Sequence, residues 1–242
     1  MLIINADDWG RSRAETDAAF QCYQNKRITS VSAMVFMQDS ERAAALAKDN
    51  AMSVGLHLNF TEPFTDPAHT TVRQSHNRVI RFLKRNKHAQ LLYNPWRRKD
   101  FATCFAAQLD EFVRLYGKTP THIDGHHHMH LCSNVVFNRL IPAGSKMRRN
   151  FSFWPGEKSW LNRMYRSSVD RWLSRRYRLP DYFFDLTQSI SERKMERIET
   201  LAKSNKVELM THPIDGRESD YLMGREFESL LRRVEIGSYA LV

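Results

Sequence analysis

Short apolar runs alternate with helix-period segments along this chain, and four of the runs end in carboxylates or histidines. Leu2-Ile3-Ile4-Asn5-Ala6 predicts a buried strand with Asp7, Asp8 and Gly10 at its end. Ser12 and Glu15 have capping-box spacing and open a helix to about Lys26. Thr29 to Phe36 predicts a second strand, and a helix carrying Ala43, Ala44, Leu46 and Ala47 follows. Met52 to Asn59 predicts a third strand with His57 near its end. Thr121 to about His126 and Lys206 to Thr211 predict two more, the last running into His212-Pro213, and Ile236 to Leu241 a final one. This alternation implies an α/β fold with a largely parallel sheet, either a barrel or an open doubly wound sheet. The carboxyl ends of parallel strands form one rim, where active sites are built. Asp7, Asp8, His57, the histidines after residue 121 and His212 are all predicted to lie there.

Between these strands, Asp100 is expected to cap an amphipathic helix. Phe101, Cys104, Phe105, Leu109, Phe112, Val113 and Tyr116 recur at three- and four-residue spacing, with Gly117 as the stop. Ser191 is expected to open a helix through Met195, Ile198, Leu201 and Ala202. The 242 residues fit one generous domain, residues 1–242, with basic insertions around 62–99 and 145–185. A hydrophobic content of 42% supports a sizeable core and excludes a disordered chain. No apolar run approaches the roughly 18 residues of a membrane-spanning helix. Carboxylates arrive at residue 7, before a signal-peptide core could form. Cys22, Cys104 and Cys132 are odd in number and far apart, which argues against a disulfide framework or thiolate zinc site and for a reducing cytoplasm.

Five of the ten histidines fall within residues 122–130, His-Ile-Asp-Gly-His-His-His-Met-His. Read as extended chain, alternation places His122, Asp124, His126, His128 and His130 on one face. That face offers imidazoles and a carboxylate, the donors of a divalent metal site and of the groups that orient its ligands. An adventitious histidine-rich loop has the same composition. Asp7-Asp8 reads as a metal ligand beside a general base, or as a helix cap or turn. His57 lies between two leucines and, alone, reads more readily as a core histidine than as a ligand; His212 could simply end a strand.

Taken together, Ala6-Asp7-Asp8-Trp9-Gly10, Gly55-Leu56-His57-Leu58-Asn59, residues 122–130 and Glu208-Leu209-Met210-Thr211-His212-Pro213 resemble the four motifs of the YdjC-like carbohydrate deacetylases, a family that includes the chitooligosaccharide deacetylases. Order and spacing match from residue 1 to about 215. The resemblance implies an irregular (β/α) barrel and one divalent ion, magnesium or zinc, held by Asp8, His57 and His126. It implies Asp7 as general base and His212 as acid or orienting group, with His128, Asp124 and Trp9 in the substrate pocket. The reaction implied is hydrolysis of an N-acetyl group on an amino sugar, free or carried on a lipid.

The formal charge of +10 is concentrated in two segments. Residues 73–99 hold nine basic side chains (Arg73, Arg78, Arg81, Lys84, Arg85, Lys87, Arg97, Arg98, Lys99) and no acid; residues 146–178 carry a net +8, leaving −7 on the rest. An acidic remainder is unlike a dedicated nucleic-acid binder. Trp96, Trp154, Trp160 and Trp172 lie in or beside these segments, so they read as a glycan-binding rim, as a surface for anionic glycans or lipid headgroups, or as a solvated basic surface. A metal-dependent phosphoesterase and a non-catalytic binder of polyanions or membranes are the rival readings. A homodimer is compatible with the sequence.

Overall fold

The structure, a computed structural model, describes residues 1–66, 70–86, 88–154 and 156–242. Lys87 of the first basic segment lies outside the described residues. The elements in chain order are β1 (Leu2–Trp9), α1 (Arg13–Gln24), β2 (Ser30–Ala33), α2 (Ser40–Asp49), β3 (Val54–Leu58), α3 (Thr70–Leu83), α4 (Arg98–Tyr116), β4 (Ile123–Gly125), α5 (Ser133–Phe137), α6 (Trp160–Leu173), β5 (Tyr182–Asp185), α7 (Leu186–Ser191), α8 (Met195–Ala202), β6 (Val207–Thr211), α9 (Gly216–Met223), α10 (Arg225–Leu231) and β7 (Ile236–Gly237). The described residues form two compact units: Met1–Asp7, Asp17–Val31 and Ala143–Val242 in the first, Asp8–Thr16 and Ser32–Pro142 in the second.

In the first unit β1 is flanked by β2 and β6, and β5 lies beyond β6. Leu2 to Ala6 pair in parallel with Val207 to Thr211, and Leu2-Ile3 also pair with Ile236-Gly237. Leu2, Ile3, Ile4, Val207 and Leu209 are fully buried, each contributing roughly 1.5–3 kcal/mol by leaving water. In the second unit β3 lies between β2 and β4, and Leu56, His57 and Leu58 pair in parallel with Ile123, Asp124 and Gly125. Helix α4 buries Phe101, Cys104, Phe105, Phe112, Leu115 and Tyr116, with Phe101 5.2 Å from the Phe60 ring and Phe112 stacked on Tyr116 at 4.4 Å. Parallel strands joined through helices give the α/β class with a largely parallel sheet, as the sequence predicts.

Several boundaries differ from expectation. Ser12 and Glu15 do form the capping box, the Glu15 amide donating to Ser12 Oγ while that hydroxyl donates to the Glu15 carboxylate. Gly117 stops α4 in the left-handed region at φ 67°. Asp100, however, is not the cap: a 3-10 turn at Pro95–Arg97 feeds directly into α4, so the helix begins at Arg98. Asp100 sits in its first turn, paired with Arg78 (2.6 Å) and Arg97 (2.9 Å). Val113, expected on the buried face, is exposed. Ser191 closes α7 rather than opening a helix, and Lys194 precedes α8. The last strand is only two residues, because the chain enters a 3-10 turn at Tyr239–Leu241. Strand β5, hidden in an aromatic and basic stretch, is absent from the sequence reading.

Candidate active site

In the second unit, Asp8, His57 and His126 come together at strand ends. Asp8 is the penultimate residue of β1, His57 the penultimate residue of β3, and His126 follows β4 directly. All three are buried. Asp8 adopts φ 63°, a left-handed conformation that aspartate tolerates better than most residues and that costs about 1 kcal/mol or more. Its Oδ1 lies 2.9 Å from His126 Nδ1 and 3.3 Å from His57 Nε2. The His57 and His126 rings meet edge to face at 5.5 Å. Burial alone would raise the Asp8 pKa. Hydrogen bonding from His126 and His57, and the fields of the two rings, outweigh burial and hold the carboxyl well below the usual range.

His57 is oriented from behind. Its Nδ1 donates to Asp124 Oδ1 at 2.9 Å, since an ionised carboxylate can only accept, which turns Nε2 toward Asp8. Asp124 Oδ2 accepts from Ser32 Oγ (2.8 Å), and that hydroxyl is 3.0 Å from His122 Nε2. The His122 ring fills the space over Gly55, where an added Cβ would lie 2.3 Å from it.

This donor set fits a divalent ion. Ligands about 2.0–2.2 Å from one ion, 90–110° apart, stand about 3.0–3.5 Å from each other, close to the spacings seen here. The carboxylate–histidine arrangement behind His57 is the usual support of a metal-bound imidazole. His126 Nε2 is buried without a hydrogen bond, 3.1 Å from Glu62 Oε1. Glu62, His126 and His127 thus form a second cluster of ligand-type atoms sharing His126. Arg11 braces both clusters, 2.8 Å from Glu62 Oε1 and 3.4 Å from Asp8 Oδ2. The fields of Arg11 and His126 hold Glu62 below its ordinary pKa against the opposing effect of burial.

The extended-chain reading of residues 122–130 fails after Gly125. There β4 ends and the chain turns through a 3-10 segment, with His127 and His128 at φ 52° and 59°. Two-residue alternation no longer applies, and it is His127 whose ring lies 4.0 Å from His126 and whose Nδ1 is 3.0 Å from Thr61 Oγ1. His128 instead lies near His130, their rings 6.4 Å apart. Asp124 is fully buried behind His57, and Trp9 is a core residue whose indole N–H donates to the Ala43 carbonyl at 3.2 Å; neither lines an open pocket.

The remaining two expected residues belong to the first unit. Ala6 pairs with Thr211, so Asp7, the next residue of β1, lies opposite His212, which directly follows β6. Both Asp7 oxygens accept from the fully buried Arg148, at 2.6 and 2.7 Å, and Oδ1 also accepts from Asn5 Nδ2 at 2.9 Å. Arg148 Nε donates to Glu208 Oε1 (2.8 Å), and the second Glu208 oxygen accepts from Tyr239. The His212 amide donates to Glu218 Oε2 at 2.5 Å, an oxygen that also accepts from Thr211 Oγ1 at 2.6 Å. Arg148 is invisible among ten basic residues of its segment. Glu208, a carboxylate inside the apolar run of β6, was the available signal for it.

One carboxylate and two imidazoles converging at the strand ends of a parallel α/β fold make a candidate metal centre. The chain belongs to the YdjC-like protein family, whose model matches residues 1–233. It is 33% identical over 132 residues to a chitooligosaccharide deacetylase of Serratia marcescens, covering 54% of this chain and 51% of that protein. It is 38% identical over 136 residues to a carbohydrate deacetylase of Geobacillus stearothermophilus, covering 55% and 51%. The chain spans about half the length of the curated relatives it matches. A crystal structure from Enterococcus faecalis V583, of a protein provisionally assigned to cellobiose-phosphate cleavage, superposes with a TM-score of 0.63 over 98% of this chain and 97% of that one. At 18% identity that likeness concerns the fold alone.

Proposed function

We propose that the chain is a metal-dependent hydrolase that removes the N-acetyl group from an acetylated amino sugar, a chitooligosaccharide or a related glycan or glycolipid. The observation that carries this reading is the convergence of Asp8, His57 and His126, with Asp124 fixing the His57 tautomer. The deacetylase names of the relatives support the reaction class. Two imidazoles beside one carboxylate suit zinc better than magnesium. The chemistry a divalent ion supplies there is Lewis acidity toward the acetamide carbonyl and the attacking water.

The protein's own groups do the rest. Asp7, which precedes the ligand Asp8 in the chain, takes a proton from the attacking water. Arg148 fixes the direction of Asp7 through its two hydrogen bonds. Attack on the carbonyl carbon gives a tetrahedral oxyanion; the C–N bond then breaks as His212 protonates the leaving nitrogen. Acetate and a free amine are the products.

Acetate release from chitobiose, longer chitooligosaccharides, acidic N-acetyl sugars and acetylglucosamine lipids, with and without chelator and metal add-back, tests the proposal. Chelator-sensitive release from any of these is expected, and silence across the panel with metal bound sinks it. Asp7→Asn should keep metal binding and lose most turnover; near-normal activity in that variant would remove Asp7 as the base. The Glu62–His126–His127 cluster favours a second reading, a two-metal phosphoesterase. More than one catalytic ion per chain, measured by elemental analysis, would select it.

A further inference from the structure

Helix α6 is turned inside out relative to an ordinary surface helix. Trp160, Leu161, Met164, Tyr165 and Trp172 are 66, 58, 53, 56 and 42% exposed. At about 100° per residue they share an arc of about 140°. Asp170 and Leu173, on the other side, are the residues it buries. Helical rise sets Trp160 and Trp172 about 18 Å apart, with the aliphatic Leu161 and Met164 between them.

Charge surrounds this face. Residues 146–178 carry a net +8. Arg171 falls within the same arc, Arg175 lies in the turn just after the helix, and Arg163 lies about 60° outside the arc toward Asp170; none of the three forms an ion pair among the described residues. Beneath Trp160 and Met164 lies a cavity of about 460 Å³, which also takes in Arg163, Arg166, Phe151 and Phe153. Arg166 is half-buried there, its guanidinium 5.2 Å from the Phe153 ring centroid and held by Asn162 Oδ1 at 2.9 Å. The volume is within the range of small-molecule sites.

The occupant follows from this combination. A second copy of the chain, meeting this face through a two-fold axis, would oppose two segments of +8. A polynucleotide would use the arginines and tryptophans but leave Leu161 and Met164 in water. Aliphatic residues between flanking tryptophans, with guanidinium groups around them, match the boundary between lipid headgroups and acyl chains. We propose that α6 seats the protein on a membrane surface bearing anionic phospholipid. The apolar face enters the headgroup–acyl boundary, and Arg163 and Arg166 take a headgroup phosphate at the cavity. This holds independently of the hydrolase reading.

Co-sedimentation of the full chain with vesicles tests it. Vesicles of phosphatidylcholine with about one third phosphatidylglycerol should bind at least tenfold better than phosphatidylcholine alone, with a blue shift of tryptophan emission. Salt near 1 M, where the Debye length is about 3 Å, should remove most of that preference. Leu161→Gln with Met164→Gln keeps the charge and alters only exposed side chains; it should weaken binding about tenfold with an unchanged melting temperature. Arg171→Glu with Arg175→Glu should abolish the preference for anionic vesicles. Equal binding to both vesicle types, no binding, or wild-type binding by the Gln variant would overturn the proposal. So would self-association that the Gln variant dissolves, or inorganic phosphate binding at the cavity without vesicle binding.

Discussion

Asp124 and Arg148, both fully buried, carry different burdens at the residue scale. Asp124 touches no open pocket, yet it accepts the His57 Nδ1 proton and so decides which nitrogen faces Asp8. Asp124→Asn can present its amide to His57 and trap the other tautomer. Zinc affinity, measured by competition with a chelating dye, should fall 10–100-fold in this variant, with the melting temperature of the metal-free protein changing far less. Arg148 is the opposite case: removing it leaves Asp7 and Glu208 buried beside one another without a cation. Arg148→Met should cost about 3–5 kcal/mol in urea unfolding. A loss under 1 kcal/mol would mean that water or a rearranged side chain replaces the guanidinium. Neither role is legible from residue type: an aspartate that ligates and one that orients have the same letter, and Arg148 is one of many basic residues.

Strand β3 shows at the element scale how packing fixes a site. Gly55 lies two residues before His57, and the His122 ring occupies the place of its missing Cβ. That ring is held by Ser32 and by Thr121, 3.1 Å from His122 Nδ1, so it has little freedom to give way. Gly55→Ala should therefore cost about 1–3 kcal/mol and loosen the Ser32–Asp124–His57 chain with it. The expected signature is a lower urea midpoint together with weaker zinc binding. Partial recovery of the midpoint in a Gly55→Ala, His122→Ala double variant checks the cause. The sequence marked β3, α4 and the Gly117 stop correctly, because their period and punctuation are local. It misplaced the start of α4 and the end of β4, because a 3-10 turn that runs into a helix, or one that follows a strand, leaves no periodic trace.

For the whole molecule, stability should vary with pH through His76. This imidazole is buried, stacked on Phe64 at 3.8 Å, with Nε2 3.0 Å from the Asn59 carbonyl. Burial lowers its pKa to about 4 from 6.5. As pH falls below 6.5 the unfolded chain binds a proton before the folded one, so stability drops between pH 6.5 and 4 and this contribution changes no further below 4. The full loss is up to about 3 kcal/mol. His76→Gln keeps a donor for the Asn59 carbonyl and should flatten this part of the stability–pH curve; an unchanged slope would assign it to other groups. No helix among the described residues is long and apolar enough to cross a membrane.

The α/β class, the parallel strands and the metal-type residues at their ends were determined by the sequence itself, because hydrophobic period and strand-end polarity are properties of neighbouring residues. Which of them would act together, Asp8, His57 and His126, came from the resemblance of the four motifs to a known family and not from period or position. That His127 and Glu62 join His126, that Trp9 is core, that Arg148 clamps Asp7, and that α6 turns its tryptophans outward were decided only by the tertiary structure. Each depends on which distant segment lies opposite, and on where a backbone such as that of His127 and His128 leaves the extended conformation, which no local period records.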